Sequence, residues 1–341
     1  MLEIKVMYLM KRNAPMIQAV LNSKNAHNNE LLNPNSPSNR DNCLEPYRLI
    51  AQLLKDNGIN LVTADLLTEE PLFELQIERQ EKTYSDKKFL IQLENPEHAV
   101  LPRSTDSYRS IYSWNDELYS TLESFVKVYI PSIDDRLINQ SHVRDIEYVM
   151  ICANKKFSKE NNQELYSDRL SIIDWFSQSN STEFRLYGRG WVAPTIRDGW
   201  RSLLRSVLSP VATPKVFHGE VTSKSDILSR SKFSFCYENM RSDGDYITEK
   251  IFDSMLAGCV PIYLGSSRIS DYIPDDVYID AREFNGVDAI YRYIEKLSFE
   301  RLCDMRRSIV DFLESKQADI FRNTVFANCV VTNILERLDD E

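Results

Sequence analysis

The segment 237–265 constrains the fold of this chain more than any other part of the sequence. It reads Tyr-Glu-Asn-Met-Arg-Ser-Asp-Gly-Asp-Tyr-Ile-Thr-Glu-Lys-Ile-Phe-Asp-Ser-Met-Leu-Ala-Gly-Cys-Val-Pro-Ile-Tyr-Leu-Gly. The pattern predicts the end of a strand, a polar loop, a helix and a second strand. In open α/β sheets, ligands bind at the carboxyl ends of such strands. A helix that begins there directs free N–H groups and the positive end of its dipole at an anion.

Lys250, in the first turn of that predicted helix, is hard to explain by structure alone. Thr248 suits the N-cap position, and Gly258 suits the position just after the helix. A lysine near the amino end opposes the helix dipole unless a negative group lies nearby. That group is a nucleotide phosphate in the functional interpretation and Asp245 in the structural one. Both interpretations remain open at this point.

The bulk composition excludes some classes of function. A chain of 341 residues is long enough that two domains are the default expectation. Lys and Arg number 41 against 51 Asp and Glu, which gives a net charge of −10. A general nucleic-acid binder carries a basic surface, so we expect no nucleic-acid partner. An anionic ligand must therefore be attracted by a local cluster of charge.

The cysteines and the hydropathy pattern indicate a reducing compartment. The six cysteines are scattered without a C-x-x-C pair, which predicts free thiols. No apolar run approaches the ~18 residues that a transmembrane helix needs. The N-terminus is too short and too charged for a signal peptide, and we interpret residues 3–9 as a first strand. These features predict a cytoplasmic protein, soluble or peripheral to a membrane.

Short apolar runs alternate with helical patterns along the chain. The first series has a helix over 45–57 and strands over 60–64 and 87–93, after an Asn- and Ser-rich loop at 22–42. A second series begins with a strand over 145–153. Alternation of this kind predicts parallel sheets with helices on their faces.

Two successive series of this kind predict an α/β protein of the GT-B architecture, with two facing Rossmann-like domains and a cleft between them. We place the domain boundary so that the first domain covers 1–143 and the second covers 144–341. The stretch 299–338 is helical in pattern, with an interruption near Gln317. It therefore predicts C-terminal helices that belong to the second domain.

Three further strand ends carry polar residues that suit chemistry. Glu238 and Asn239 follow an apolar strand, where they would either bind sugar hydroxyls or cap a turn. Arg189 lies between two glycines at another strand end, and its guanidinium would suit a phosphate. Glu94 closes an apolar strand in the first half of the chain. A carboxylate there is a general-base candidate, with a simple turn residue as the alternative.

These motifs together resemble a known family. Tyr-Glu-Asn, Asp-Tyr-Ile-Thr-Glu-Lys and Ala-Gly-Cys-Val-Pro-Ile-Tyr-Leu-Gly are similar to the signature of the family-10 glycosyltransferases, the α1,3/α1,4-fucosyltransferases. The resemblance is strong over 184–284, and Glu94-Asn95-Pro96 resembles the family's Glu-Ser-Pro. Residues 1–85 show little of it. A membrane anchor and a heptad-repeat tail are both missing, so we expect a soluble member of the bacterial type.

The resemblance implies an inverting, metal-independent transfer of L-fucose from GDP-fucose to a hydroxyl of a glycan acceptor. An α1,3 linkage to a GlcNAc-type sugar is the favoured outcome. Glu94 would take the proton from the acceptor hydroxyl. The donor site would be formed by polar and charged side chains of the second half: Arg189, Glu238, Asn239, Tyr246, Glu249 and Lys250.

Roles within this donor site also follow from the resemblance. Lys250 and Arg189 would hold the diphosphate, Glu249 the ribose, and Tyr246 with Asn239 the region of the fucose. No clustered Asp-x-Asp is placed to hold a metal, so positive side chains and the helix end would stabilise the leaving GDP. We therefore expect no metal and no cofactor beyond the donor substrate.

The resemblance assigns acceptor binding to residues 1–143 and GDP-sugar binding to residues 144–341. An oligosaccharide, a glycolipid or a polysaccharide precursor would serve as acceptor, and the last two would bring the protein to a membrane surface. Two alternatives stay open: transfer of another GDP-hexose on the same fold, and an inactive carbohydrate-binding module. The presence of both Glu94 and Lys250 argues against the second, because a sugar-binding module needs neither a base nor a phosphate clamp.

Overall fold

A computed structural model describes the chain as two α/β units. The first unit comprises 1–134 together with 319–341, and the second comprises 135–318. Within them, the described residues are 16–24, 26–96, 99–103, 107–134, 143–155, 163–179, 182–192 and 213–339. The strand predicted over 3–9 lies outside these ranges.

The first unit contains one parallel sheet. Its strands are β1 (Ile17–Ser23), β2 (Ile59–Thr63), β3 (Glu74–Ile77), β4 (Lys88–Ile91), β5 (Ser110–Ser113) and β6 (Phe125–Lys127). They are ordered β2-β1-β3-β4-β5-β6, and all neighbours are parallel. Helices α1 (Glu45–Asp56) and α2 (Asp116–Tyr119) follow β1 and β5. The sequence predicted α1, β2 and β4 but did not predict β1, β3, β5 or β6, of which β3, β5 and β6 have only three or four residues.

The second unit contains a second parallel sheet. Its strands are β7 (Ile146–Ile151), β8 (Phe184–Tyr187), β9 (Ser231–Ser242), β10 (Val260–Ser266) and β11 (Ile279–Asp280). The order is β11-β10-β9-β7-β8. The helices are α3 (Tyr166–Gln178), α4 (Lys224–Leu228), α5 (Glu249–Leu256), α6 (Val287–Ile294) and α7 (Phe299–Glu314). Each residue of β10 is buried, as expected for a central parallel strand covered on both faces.

The last helix, α8 (Asn323–Asp339), belongs to the first unit. Its apolar face, which includes Phe326 and Val330, lies in the same core as strands β1 to β5. Asn333 accepts hydrogen bonds from the hydroxyls of Ser110 at 2.6 Å and Tyr112 at 2.9 Å. The sequence placed all of 144–341 in one domain. The structure differs because this apolar face is complementary to the first sheet.

Gly188 allows the loop after β8 to approach the end of β7. A Cβ at this position would lie 2.0 Å from the carbonyl oxygen of Cys152, and the φ angle is +133°. Only glycine tolerates both conditions. The next residue, Arg189, then accepts the backbone N–H of Asn154 at 2.8 Å through its carbonyl oxygen. The glycines around Arg189 therefore have a packing role in the sheet.

Two further features are the state of the cysteines and the character of the helices. All six cysteines are free thiols, with Cys236 and Cys259 buried and Cys43 exposed. Among the helices of the described residues, none combines the length and apolar character needed to cross a membrane.

Candidate active site

Glu238 is the centre of the site in the second unit. Its side chain is completely buried, and its two carboxylate oxygens accept three hydrogen bonds. Thr248 donates its backbone N–H to Oε1 at 2.8 Å and its hydroxyl to Oε2 at 2.8 Å. Lys250 donates from Nζ to Oε2 at 3.0 Å. Thr248 is the N-cap residue of α5 but makes no cap with its own side chain, and the carboxylate of Glu238 accepts one of the backbone N–H groups at this helix end.

Strand β9 extends past the position where the sequence ends it. The prediction that Glu238 and Asn239 follow the strand is wrong, because both lie within Ser231–Ser242. The extension is paired with the segment before α3. The N–H of Leu165 donates to the carbonyl oxygen of Asn239 at 3.1 Å, and the N–H of Arg241 donates to that of Gln163 at 2.6 Å. Polar residues resemble a turn in sequence, but here they are in a paired strand.

Lys250 has Glu238, not Asp245, as its carboxylate partner. Asp245 instead pairs with Arg268, whose Nη1 lies 3.2 Å from Oδ1. The salt bridge between Lys250 and Asp245, which the sequence left open, is therefore wrong, because the carboxylate that Lys250 pairs with is that of Glu238. The side chain of Lys250 is 23% exposed, whereas that of Glu238 is 0% exposed. The ammonium thus lies at the edge of the site while its counter-charge is buried.

The electrostatic surroundings keep Lys250 charged. Burial is the largest single influence on its pKa and lowers it, but the carboxylates of Glu238 and Glu249 outweigh burial and raise the pKa overall. Nζ uses two of its three donors, on Glu238 and on the hydroxyl of Thr248 at 2.9 Å. Within the described residues, the third donor has no hydrogen-bond acceptor. It is available to a ligand.

Arg169 binds the backbone of β9 at Tyr237 and Glu238. It lies on α3, is 5% exposed, and donates from Nη2 to the carbonyl oxygens of Tyr237 and Glu238, each at 2.6 Å. The same nitrogen donates to Oδ1 of Asn239 at 3.1 Å. No motif in the sequence predicted this residue as part of the site. The available signal was its helical spacing with the buried residues Ile172, Ile173 and Phe176, which places it on the core face of α3.

Glu249 lies in the first turn of α5, and its carboxylate interacts electrostatically with Lys224 and Lys250. Nζ of Lys224 is 3.6 Å from Oε1 of Glu249 and 2.7 Å from Oδ2 of Asp253. Burial acts to raise the pKa of Glu249, but Lys250 and Lys224 together lower it to about 2. The carboxylate is therefore ionised and suits hydroxyl donors. Lys224 is a second residue that the sequence analysis missed, because it precedes α5 on a different element.

Gly265 makes room for the buried carboxylate. A Cβ on Gly265 would lie 2.5 Å from Cγ of Glu238 and 2.5 Å from the hydroxyl oxygen of Tyr263. The register between β9 and β10 shifts at this point, between Leu264 and Ser266. The final glycine of the sequence motif therefore has a structural reason that does not involve the backbone conformation.

Tyr246 and Arg189 are less closely tied to this cluster. Tyr246, in the loop before α5, is 3% exposed. The ion pair described for Arg189 joins its Nε to Oε2 of Glu220 at 3.4 Å, and both side chains are largely exposed. The structure therefore joins Glu238 to Lys250 by a direct contact and links the side chain of Asn239 to the same segment through Arg169. The donor roles expected of Tyr246 and Arg189 remain predictions.

Glu94 lies in the first unit, just after β4, and is exposed. Its Oε1 accepts the N–H of Asn95 at 3.0 Å. Its own N–H and that of Leu93 both donate to Oε1 of Glu78 at 2.9 Å. The carboxylate of Glu94 is thus exposed on an anchored backbone, and its role as a general base remains a prediction. Across the ranges that the structure describes, no group of three or more His, Cys, Asp or Glu side chains could hold a metal ion.

Two α/β units with parallel sheets are typical of the GT-B class, and solved structures of this kind match most of the chain. An alpha1,3-fucosyltransferase crystallised with GDP-fucose matches with a TM-score of 0.54 at 14% identity, over 96% of this chain and 91% of that chain. A DNA-modifying beta-glucosyltransferase also matches with 0.54, at 10% identity, over 93% and 99%. At such identities the likeness shows the fold alone, and it confirms the GT-B prediction.

The sequence matches are more specific and cover less of the chain. Residues 212–303 match the family described as glycosyltransferase family 10 (fucosyltransferase) C-term, which confirms the predicted resemblance. The 4-galactosyl-N-acetylglucosaminide 3-alpha-L-fucosyltransferase 9 of Mus musculus is 39% identical over 72 residues, 20% of each chain. The Alpha-(1,3)-fucosyltransferase FucT of Helicobacter pylori is 34% identical over 77 residues, 23% of this chain and 16% of that one. The alignments thus span a fifth or less of these two relatives, both of which are glycosyltransferases.

Removal of the Glu238 carboxylate should destabilise the protein strongly. Glu238→Ala leaves the Lys250 ammonium and the Thr248 donors without their buried acceptor. We expect the free energy of unfolding, measured by urea titration with circular dichroism, to fall by about 3–5 kcal/mol. The matched control is Glu249→Ala, because this neighbouring carboxylate is 45% exposed whereas that of Glu238 is 0% exposed, so its removal should cost less than the removal of Glu238. Equal losses in the two variants would contradict the structural role of Glu238.

Proposed function

We propose that this protein is an inverting fucosyltransferase that uses GDP-fucose as donor and a glycan hydroxyl as acceptor. The observation that carries the proposal is the Lys250–Glu238 pair at the start of α5, inside the segment 212–303 that matches the family. The pair fixes a charged ammonium beside a helix N-terminus. A diphosphate is the ligand that such a combination suits.

The leaving group determines what the donor site must do. When the bond between the anomeric carbon and the GDP oxygen breaks, negative charge develops on the diphosphate. Lys250, the helix end and Arg189 would stabilise that charge, and no metal is required in this scheme. Because Glu238 already holds Lys250 in place, little reorganisation is needed when the charge develops. Glu249, which is ionised, would accept hydrogen bonds from the ribose hydroxyls.

Glu94 would act as the general base of the same reaction. The acceptor oxygen forms a bond to the anomeric carbon as its proton passes to the carboxylate of Glu94. The electron pair of the breaking bond leaves with GDP, on the opposite face of the sugar. A single displacement of this kind inverts the anomeric configuration. The exposed position of Glu94 supports this role, because the acceptor arrives from solvent.

A donor and acceptor panel tests the proposal as a whole. We expect GDP-fucose, in the presence of N-acetyllactosamine or simple N-acetylglucosamine glycosides, to give GDP and a fucosylated product whose anomeric centre is inverted by NMR. The reaction should proceed in EDTA. Consumption of GDP-mannose but not GDP-fucose would overturn the donor assignment. Complete loss of turnover in EDTA, restored by Mn²⁺, would overturn the metal-independent scheme.

Replacement of the base tests the catalytic role of Glu94. Glu94→Gln keeps the shape of the side chain but removes its capacity to take a proton. We expect kcat to fall by about 10²–10⁴-fold, while the affinity for GDP, measured by calorimetry, stays close to that of the wild type. Glu81→Gln, an exposed change in the loop between β3 and β4, is the control. Unchanged turnover in the Glu94 variant would rule out this residue as the base.

Replacement of the ammonium tests the phosphate role of Lys250. A charge-assisted hydrogen bond contributes about 1.5–3 kcal/mol, so Lys250→Ala should raise the Kd of GDP by about 10–150-fold. Lys232→Ala is the matched control, because this lysine lies on the same strand as Glu238 and pairs with Glu147. Thermal unfolding should first establish that the Lys250 variant is folded at the assay temperature. An unaltered Kd would leave Lys250 with a structural role only.

A further inference from the structure

We propose that Glu78 is the positioning residue for Glu94, and that it sets the place of the general base through two backbone N–H groups. The inference rests on the proposed function, in which Glu94 takes a proton from the acceptor. Glu78 would be a second carboxylate of the first unit, besides Glu94, with a role in the proposed reaction. Neither its position in the sequence nor the motifs of the second unit point to it.

The chain after β4 depends on side chains to hold its backbone. Strand β4 ends at Ile91, and the next residue, Gln92, still donates its N–H to the carbonyl oxygen of Tyr112 at 2.9 Å. Beyond it, the N–H groups of Leu93 and Glu94 both donate to Oε1 of Glu78, each at 2.9 Å. One carboxylate oxygen of Glu78 therefore supplies the acceptor for Leu93 and Glu94 that a neighbouring strand would otherwise supply.

Two more contacts complete this anchor. The side-chain amide of Gln92, which is 2% exposed, donates to Oε2 of Glu78. Trp114 donates from its indole Nε1 to the carbonyl oxygen of Leu93 at 2.9 Å. Both oxygens of Glu78 thus accept hydrogen bonds from the Gln92–Glu94 segment. The carboxylate form is the one that fits this arrangement, because an ionised carboxylate only accepts.

The backbone of Glu78 is unfavourable for a glutamate. Its φ angle is +53°, in the left-handed region, which costs a residue with a Cβ about 1–2 kcal/mol. Glycine or asparagine would adopt this conformation more readily but could not supply the same side-chain reach. The N–H of Glu78 donates to the carbonyl oxygen of Ile91 at 2.8 Å, which locks the turn beside the end of β4. The strained residue is thus the one that holds the base.

The surroundings of Glu78 make its charge sensitive to pH. Burial raises the pKa of Glu78 to about 6, although the N–H groups of Glu94 and Leu93 act in the opposite direction. The groups that face it are Glu94 and Gln92 from the end of β4, Tyr47 from α1 and Tyr119 from α2. Burial, followed by the charge of Glu78, raises the pKa of both tyrosines, so they remain neutral. Below about pH 6 Glu78 gains a proton and its hydrogen bonds must rearrange.

Two variants of Glu78 separate positioning from a general loss of stability. Glu78→Ala removes the acceptors, so kcat should fall by about 10²-fold with an unchanged KM for GDP-fucose, because the donor residues belong to the second unit. Glu78→Gln keeps Oε1 for the two N–H groups. Once the side-chain amide of Gln92 flips, the new amide can donate to Oε1 of Gln92, which is buried and has no hydrogen-bond partner among the described residues. This variant should retain most turnover. The fall in kcat expected of the wild type below about pH 6 should be absent from its pH profile.

The assays use the full chain with GDP-fucose and N-acetyllactosamine, with Glu81→Gln as the unaffected loop control. Amide hydrogen exchange at Leu93 and Glu94 provides a readout that does not depend on the reaction. Protection should be lost in Glu78→Ala and kept in Glu78→Gln. A kcat within twofold of wild type for Glu78→Ala, unchanged protection, or a persistent fall in kcat below about pH 6 in Glu78→Gln would each overturn the proposal.

The same experiment distinguishes this inference from the proposed function. If Glu94→Gln retains turnover, Glu94 is not the base and the catalytic scheme fails, whatever Glu78 does. If Glu94→Gln loses turnover while Glu78→Ala retains it, the base stands and the positioning role is overturned. Loss in both, with exchange protection lost only in Glu78→Ala, supports both.

Discussion

The buried carboxylate of Glu238 is the interaction on which the second unit's site depends. An ionised group without solvent is tolerated only when it is paired and fully hydrogen-bonded. Here Lys250 supplies the opposite charge and Thr248 supplies two donors. These contacts join the two ends of the loop between β9 and α5. The carboxylate therefore fixes where the helix begins and where the ammonium of Lys250 lies.

The first unit uses the same physical device twice. Glu74 on β3 is completely buried and accepts hydrogen bonds from the side chains of Asn22 and Gln76 and from the N–H groups of Tyr84 and Ser85. Glu78, just after the same strand, accepts the N–H groups that follow β4. In each case an acidic side chain at a strand end accepts backbone N–H groups that lie outside the hydrogen bonds between strands. The carboxylates of Glu74 and Glu78 thus fix the segments that precede and follow β4.

The sequence predicted the features that local pattern controls. Apolar runs indicated β7, β8 and β10, and the spacing of capping residues indicated α5 to within a residue or two. It failed where partners distant in sequence decide the outcome. The extension of β9 depends on Gln163 and Leu165, and the assignment of α8 depends on the first sheet.

The site residues that the sequence missed follow the same logic. Arg169 and Lys224 come before the motif on other elements, and nothing in their immediate neighbours marks them as members of the site. Glu78 lies in a polar stretch that reads as an ordinary loop. Its role is visible only once β3 and β4 lie side by side, because the carboxylate reaches across to the end of the next strand. Contacts between neighbouring strands therefore determine these roles.

The charge balance of the proposed donor site also bears on how an acidic chain could accommodate an anionic ligand. The net charge is −10, so long-range attraction does not favour a nucleotide. Lys250 and Glu238 form a neutral pair, and Lys224 is likewise matched by carboxylates. What the site provides is an ammonium held at the start of a helix, with one donor that has no acceptor within the described part of the chain. Because this charge is already ordered and already desolvated on one side, binding and charge development in the reaction would require little rearrangement of the protein. In the proposed function, the buried carboxylate of Glu238 would support catalysis by keeping Lys250 fixed, and Lys250 would contact the donor.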